Sequence, residues 1–428
     1  MGADDACHSP STLYVEGSDL VYALFAVLIL PAVLNGFPLV MSDSIAYSGK
    51  GANWFRGKFP ALLLTLPYKL VGYWAMPILN SAMAAGAWIL LFRVYDIRPS
   101  RIVLCILIVL SLQPIYTSAV LVDAWFFPAI ILLLSARKLP EVYVGILAGL
   151  LLSGHGSGQI FALVFAVLAA VLFRSRRQVV AGMVAAVIAF GMNVLLDAMI
   201  MPETPRLSKT FPAARVFSVQ PELLRREADR SGNLVLSEAA DEVARIKTYP
   251  ENKGRRDLFW DVWKTSEGEF DLAKFEEHHA LPILKDAFMF EPVPLARTIF
   301  LDFLSYYEPA TQFDFQPVLS EPFPERFYAS HQAKGFFAAV PVELGATILR
   351  YGCYLAFAAA LFFGWRRTGA DIRRTIIGIG LIAIANDALF ALLSGPPDRY
   401  HHRILPLLAI GTVLLISGRV KQPVEAPA

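Results

Sequence analysis

Polar side chains that a plain membrane anchor would not need gather in four places along the chain. Ser42-Asp43-Ser44-Ile45-Ala46-Tyr47 follows the first long apolar run, and on a helix Asp43 and Tyr47 would share one face. A carboxylate there can take the proton of an acceptor hydroxyl, the task of a general base. The same Asp and Ser also suit an ordinary helix cap. Arg56 and Lys58 place two cations in the same loop. A carboxylate and cations together suit a reaction in which a phosphate departs and must be held and neutralised.

Asp123 and His155 form the second and third places, and helix arithmetic sets their depth. From Arg137 back to Asp123 is about 21 Å of helix, and from Lys138 to His155 about 25 Å, both short of a hydrocarbon core of about 30 Å. From Arg374 to Asp387 is about 20 Å by the same rule. Ionisable groups at that depth face protein or a watery cavity. Asp387 thus either lines a cavity or bonds to polar neighbours such as Asn386. His155 sits in Ser153-Gly154-His155-Gly156-Ser157-Gly158-Gln159. Packing of small residues explains Gly154 and Gly158, but it leaves His155 and Gln159 as candidate ligand contacts.

The fourth place is Pro396-Pro397-Asp398-Arg399-Tyr400-His401-His402-Arg403. On a helix Arg399 and Arg403 would point one way and could grip a phosphate, with Tyr400 and His402 as further donors. Anchoring at the membrane surface is the plainer role for Arg and Tyr. No HExxH pattern or second His/Cys cluster suggests zinc. A divalent cation therefore stays an open possibility with no ligand set behind it.

These residues are carried by a very apolar chain. Of 428 residues 56% are hydrophobic and 17% charged, and the mean hydropathy is +0.52. So much apolar surface belongs in a bilayer. The net charge of +2 argues against a nucleic-acid partner, and three cysteines make no disulfide framework. With no Lys or Arg before Leu20, the first apolar stretch reads as a permanent span rather than a cleaved signal.

The expected fold is an all-α polytopic membrane protein with about ten transmembrane helices, near 20–40, 71–92, 102–119, 122–136, 140–154, 158–173, 178–200, 336–364, 375–394 and 403–418. Phe59–Tyr73 reads as a helix lying at the membrane surface, because counting it as a span would export the basic loops. Those loops hold Arg93, Arg98, Arg101, Arg137, Lys138, Arg174, Arg176, Arg177, Arg366, Arg367, Arg373, Arg374, Arg419 and Lys421, all on one side, which the positive-inside rule makes cytoplasmic. The amino terminus is then cytoplasmic. Three parts follow: residues 1–201 with seven spans, an external and mostly helical segment 202–335 between spans seven and eight, and residues 336–428 with three spans. In the external segment, helices are expected from Pro221, over Asp257–Trp263 and Asp271–His279, and over Val293–Tyr307. No Asn heads an Asn-x-Ser/Thr acceptor, which favours a bacterial inner membrane.

This layout resembles that of the GT-C fold glycosyltransferases, polytopic enzymes that use polyprenyl-phosphate-linked sugars. The likeness lies in the order of parts: a cytoplasmic amino terminus, one span, a long external loop with an acidic residue and surface helices, six more spans and a large external segment. Ser42-Asp43-Ser44-Ile45-Ala46-Tyr47 matches the family's first-loop carboxylate, and the Asp398–Arg403 run is similar to Arg/Tyr-containing turns of some bacterial members. Many members carry two adjacent acidic residues in the first loop, whereas this chain has Asp43 alone. The resemblance implies inverting transfer of a sugar to a periplasmic glycan or lipid acceptor, with Asp43 as general base. Arg399, Arg403, Lys58 or His402 would hold the departing phosphate, and Asp123, His155 and Gln159 would line the pocket. A neighbouring reading is an O-antigen-type ligase or polymerase acting on a lipid-diphosphate oligosaccharide. A third, from another class, is a lipid-sugar transporter or flippase with Asp123, His155 and Asp387 along its path.

Overall fold

The computed structural model describes residues 11–41, 44–47, 58–200, 208–249, 258–262, 264–309, 323–393 and 398–417. Among them the only sheet is a short hairpin, Lys264–Thr265 with Gly268–Glu269, and nearly everything else is helical. The first helices are α1 (Ser11–Asn35), α2 (Lys58–Val71), α3 (Ala75–Tyr95), α4 (Arg101–Leu110), α5 (Gln113–Thr117), α6 (Phe126–Ser135), α7 (Glu141–Leu152), α8 (Gly158–Leu168) and α9 (Arg176–Ile200). Then come α10 (Thr210–Val219), α11 (Pro221–Ser231), α12 (Leu234–Lys247), α13 (Ala280–Phe290) and α14 (Pro292–Ser305). The chain closes with α15 (Val342–Gly364), α16 (Ala370–Leu393), α17 (Asp398–His402) and α18 (Leu405–Ser417).

This is an all-α membrane protein, but not one with ten long spans. Among the described residues five stretches are long and apolar enough to cross a membrane: Lys58–Tyr95, Arg176–Ile200, Val342–Arg367, Ala370–Leu393 and Arg399–Ser417. Arg101–Leu110, Asp123–Ser135, Glu141–Leu152 and Gly158–Phe173 are apolar helices of only 10–17 residues. Backbone breaks shorten them. Leu112, at φ 57, splits the segment expected at 102–119 into α4 and α5, because few side chains tolerate that left-handed conformation within a helix. Between α7 and α8 the chain turns tightly, and a Cβ on Gly158 would lie 1.9 Å from the Leu152 carbonyl oxygen. Gly158 is therefore needed for that turn, not for the small-residue helix contact expected of it.

That contact is made elsewhere. Cβ atoms built on Gly145 and Gly149 of α7 would approach the Ala181 and Ala185 carbonyl oxygens of α9 to 2.7 Å in both cases. A small-xxx-small stripe thus brings the two backbones together. Outward from this pair, Leu147 of α7 and Val187, Phe190 and Leu195 of α9 are exposed, as side chains facing lipid tails would be.

The basic loops meet at one end of the bundle. Arg137 lies 3.5 Å from Asp371, Lys138 Nζ donates to the Arg93 carbonyl at 3.4 Å, and Tyr95 shares a 3.2 Å hydroxyl contact with Thr375. At the opposite end, residues 37–41 run extended beside 118–120: Leu39 N–H donates to Ser118 O at 3.0 Å, and Val120 N–H to Leu39 O at 2.9 Å. The Gln332 side chain pins Val40 there, donating to its carbonyl at 2.5 Å and accepting from its N–H at 3.0 Å.

Helix α2 lies across this second end. Its start meets Gly154, whose added Cβ would lie 3.3 Å from Pro60 Cγ, while Tyr73, just beyond its close, packs on Phe37 at 5.6 Å. Gly72, at φ 60, turns the chain between α2 and α3. Lys58–Tyr95, one long apolar stretch, is thus divided into α2 and α3.

Beyond α9, residues 213–295 build a hydrophobic core of their own, including Phe217, Leu224, Val243, Phe259, Phe275 and Ile283. The helices expected from Pro221 and over 293–307 form as α11 and α14. The other two expectations shrink: Leu258–Trp260 is a single 3₁₀ turn, and Asp271 caps a three-residue helix that widens into a π turn over Phe275–His279. This unit rests on the bundle through α10 and α14, which pack against α16. A buried ion pair, Arg215 with Asp302, ties α10 to α14.

A buried polar cluster as candidate functional site

Helices α16 and α17 bring the polar cluster together. Asn386 and Asp387 are wholly buried in α16, and Asn386 bridges three partners. Its Nδ2 donates to Asp387 Oδ1 at 3.0 Å and to the Tyr400 carbonyl at 2.7 Å, while its Oδ1 accepts from Arg403 Nε at 2.8 Å. One amide thus joins the carboxylate of α16 to both ends of the Tyr400–Arg403 run. Of the two roles left open for Asp387 in the sequence, these contacts are the bonding to Asn386 inside the bundle.

Arg403 points inward. Its Nη1 lies 3.7 Å from Asp123 Oδ1, and its guanidinium stands over the rings of Phe390 at 4.3 Å, Phe126 at 4.8 Å and Phe161 at 5.1 Å. Aromatic faces attract a cation most strongly where water is excluded, which offsets part of the cost of burying this charge. Arg399 does not join it in one grip. It lies half-buried over the Tyr400 ring at 4.8 Å and donates to the Tyr400 hydroxyl at 2.9 Å. His155 reaches the same ring from the other chain segment at 6.0 Å, with its Nδ1 2.8 Å from Ser157 Oγ.

His401 and His402 diverge from neighbouring positions. His402 Nδ1 meets the Tyr116 hydroxyl at 2.9 Å. His401 Nδ1 lies 2.9 Å from Asp387 Oδ2, and its Nε2 bonds the Tyr354 hydroxyl of α15. The consistent assignment has Tyr354 donating to Nε2 and Nδ1–H donating to the carboxylate, a hydroxyl–imidazole–carboxylate line able to relay a proton. Tyr307 also donates to Asp387 Oδ2, at 3.1 Å, and Tyr306 stacks on His401 at 5.6 Å. The carboxylate beside Tyr307 and its partial burial both hold that phenol well above the ordinary tyrosine range, burial being the larger cause.

The cluster is tightly packed. The cavity between Asp123, Gln113, Tyr116, His402 and Arg403 measures about 10 Å³, the size of one water molecule. Asp123 Oδ1 and Gln113 Nε2 face this region with no hydrogen-bond partner among the described residues.

Seven of the residues singled out from sequence thus come together: Asp123, His155, Asp387, Arg399, Tyr400, His402 and Arg403. Others do not. Tyr47 is buried in a second hydrophobic core with Phe37, Tyr73 and Phe327, Lys58 is buried beside Asp197 of α9, and Gln159 makes no side-chain hydrogen bond to the cluster. Asp43 and Arg56 lie outside the described residues, as do Pro396 and Pro397. Met41 and Ser44, on either side of Asp43, are joined by a 2.8 Å bond from Met41 N–H to Ser44 Oγ.

Sequence reasoning missed His401, Tyr354, Tyr306, Tyr307, Asn386 as a bridge, and Arg350. Arg350 was the most findable. It is a lone arginine within an apolar span, fully buried, with its guanidinium 5.7 Å from the Tyr351 ring. Among the described residues no group of three or more His, Cys, Asp or Glu side chains is placed to hold a metal ion. No protein-family model, curated protein or solved structure matches the chain.

Proposed function

We propose that the chain is a glycosyltransferase of the bacterial inner membrane, transferring a sugar from a polyprenyl-phosphate donor to a periplasmic glycan or lipid acceptor. The observation that supports this reading is the gathering of Asp123, His155, Asp387 and the Arg399–Arg403 run at the end of the bundle away from the basic loops. That end then faces the periplasm by the positive-inside rule. The amino terminus lies in the cytoplasm in this reading. The segment pinned at Val40, which precedes Asp43 in sequence, runs beside residues 118–120, shortly before Asp123.

Asp43 takes the proton of the acceptor hydroxyl. The acceptor oxygen bonds to the anomeric carbon as the carbon–oxygen bond to phosphate breaks with inversion, and the electron pair leaves on polyprenyl phosphate. Arg399, on the outer side of Tyr400, neutralises that phosphate. Arg403 is committed to Asp123 and Asn386 and serves to hold Tyr400 in place. The cavity at the core of the cluster is too small for a sugar, so the donor sits on its outer face.

Purified Asp43→Asn protein tests the assignment. Transfer from a polyprenyl-phosphate sugar should vanish while thermal unfolding stays as in the unchanged protein; full transfer by the variant would end it. Consumption of a diphosphate-linked oligosaccharide alone would instead make the chain a ligase. The buried Asp387–His401–Tyr354 line favours a second reading, a lipid-sugar transporter driven by proton movement. Movement of the sugar lipid across proteoliposomes without any transferred product would establish that reading.

A further inference from the structure

A second feature lies at the basic end, remote from the polar cluster. Helices α4, α15 and α18 border a groove of about 460 Å³, lined by Ile106, Leu110, Ala356, Phe363 and Leu415, with Arg367 at one end. This lies within the range of ligand-sized sites, about 300–1,000 Å³. Small side chains on α15 make the hollow: Ala356, Ala359, Ala360 and Gly364 all line it. Helices α15 and α18 touch at its floor, where a Cβ on Gly364 would lie 2.8 Å from the Leu415 carbonyl oxygen. Leu110 closes the far end against α15, since a Cβ on Gly352 would lie 2.8 Å from Leu110 Cδ2.

The groove is therefore blind and apolar at one end and cationic at the other. Arg367 and its neighbour Arg366 are exposed, and among the described residues neither is in an ion pair. Arg98 and Arg101, exposed at the start of α4, add positive charge to the same end. Basic pockets between membrane helices on the positive-inside face suit anionic lipid headgroups.

We propose that this groove seats one acyl chain of an anionic phospholipid from the leaflet at the basic end, with Arg367 on the headgroup phosphate. The proposal does not depend on the transferase reading, since the groove shares no residue with the polar cluster.

Native mass spectrometry of the full chain, purified in phosphatidylcholine micelles doped with phosphatidylglycerol, tests it. Phosphatidylglycerol should stay bound while phosphatidylcholine is lost. Arg367→Gln should weaken that retention roughly fivefold, the worth of one arginine near an anionic headgroup. Ala359→Phe, a change at an exposed position that fills the hollow, should remove the bound lipid and leave thermal unfolding unchanged. Four results would overturn the proposal: equal retention of the two lipids, retention unaffected by Ala359→Phe, a dimer that Ala359→Phe dissolves, or a bound polyprenyl phosphate in place of the phospholipid.

Discussion

The Arg403 guanidinium lies 3.7 Å from the Asp123 carboxylate with both side chains almost completely buried. The two residues come from opposite halves of the chain, and their pairing fixes α18 against the turn that opens α6. Removing either partner strands the other charge, which typically costs about 3–5 kcal/mol. Arg403→Ala should therefore lower the unfolding midpoint sharply in tryptophan fluorescence melts. Combining Arg403→Met with Asp123→Leu should recover much of the loss, because no charge is then left alone.

Asp387 accepts from Asn386, His401 and Tyr307. An Asp387→Asn side chain has one acceptor oxygen, so its amide must face either the Asn386 amide or the His401 N–H. The expected penalty is about 1–3 kcal/mol. Tyr307→Phe removes one neutral donor and should cost about 1 kcal/mol. Chemical-denaturant titrations of both variants would rank them in that order.

Close backbone contact between α7 and α9 leaves no room at Gly149. Gly149→Leu should force the helices apart at about 1–3 kcal/mol or more. The loss would show as a lower melting temperature and faster proteolysis of the loop that joins α8 to α9.

Acid should loosen the helical unit over 213–295 through Glu238. Its carboxylate accepts from Ser266 N–H at 2.9 Å, Ser266 Oγ at 2.6 Å and Glu267 N–H at 2.9 Å. Those bonds to Ser266, first the side-chain one, hold its pKa down from 4.5 to about 2. A depressed carboxylate contributes its stability above the unfolded value and loses it as pH falls through the folded one. The contribution is thus full above about pH 4.5 and gone near pH 2. Glu238→Gln should flatten this part of the stability profile, measured by circular dichroism against pH.

Legibility in the sequence followed physical scale. Apolar runs marked every bundle helix, and basic residues such as Arg93, Arg137 and Asp371's neighbour Arg374 marked one end, because both signals are local. The number of long spans was not local in that way. It turned on single breaks at Leu112 and Gly158, where backbone geometry overrides composition. Depth arithmetic found Asp123, His155 and Asp387, since a polar group inside an apolar run stands out one residue at a time. The direction of each side chain was hidden. Arg399 and Arg403 are a helical turn apart, yet one covers the outer side of Tyr400 and the other turns inward to Phe390. Tyr307 read as the end of a helix over Val293–Tyr307, and only the docking of α14 on α16 carries Tyr306 and Tyr307 to His401 and Asp387.

That docking makes the unit of α10 to α14 a lever on the buried pair. Arg215 and Asp302 lock α10 to α14, and the tyrosines that follow α14 press on the imidazole and carboxylate from above. Any tilt of that unit would draw Tyr306 off His401 and Tyr307 off Asp387. A shift of one helical unit is thereby carried into the hydrogen bonding of a carboxylate wholly buried in the other.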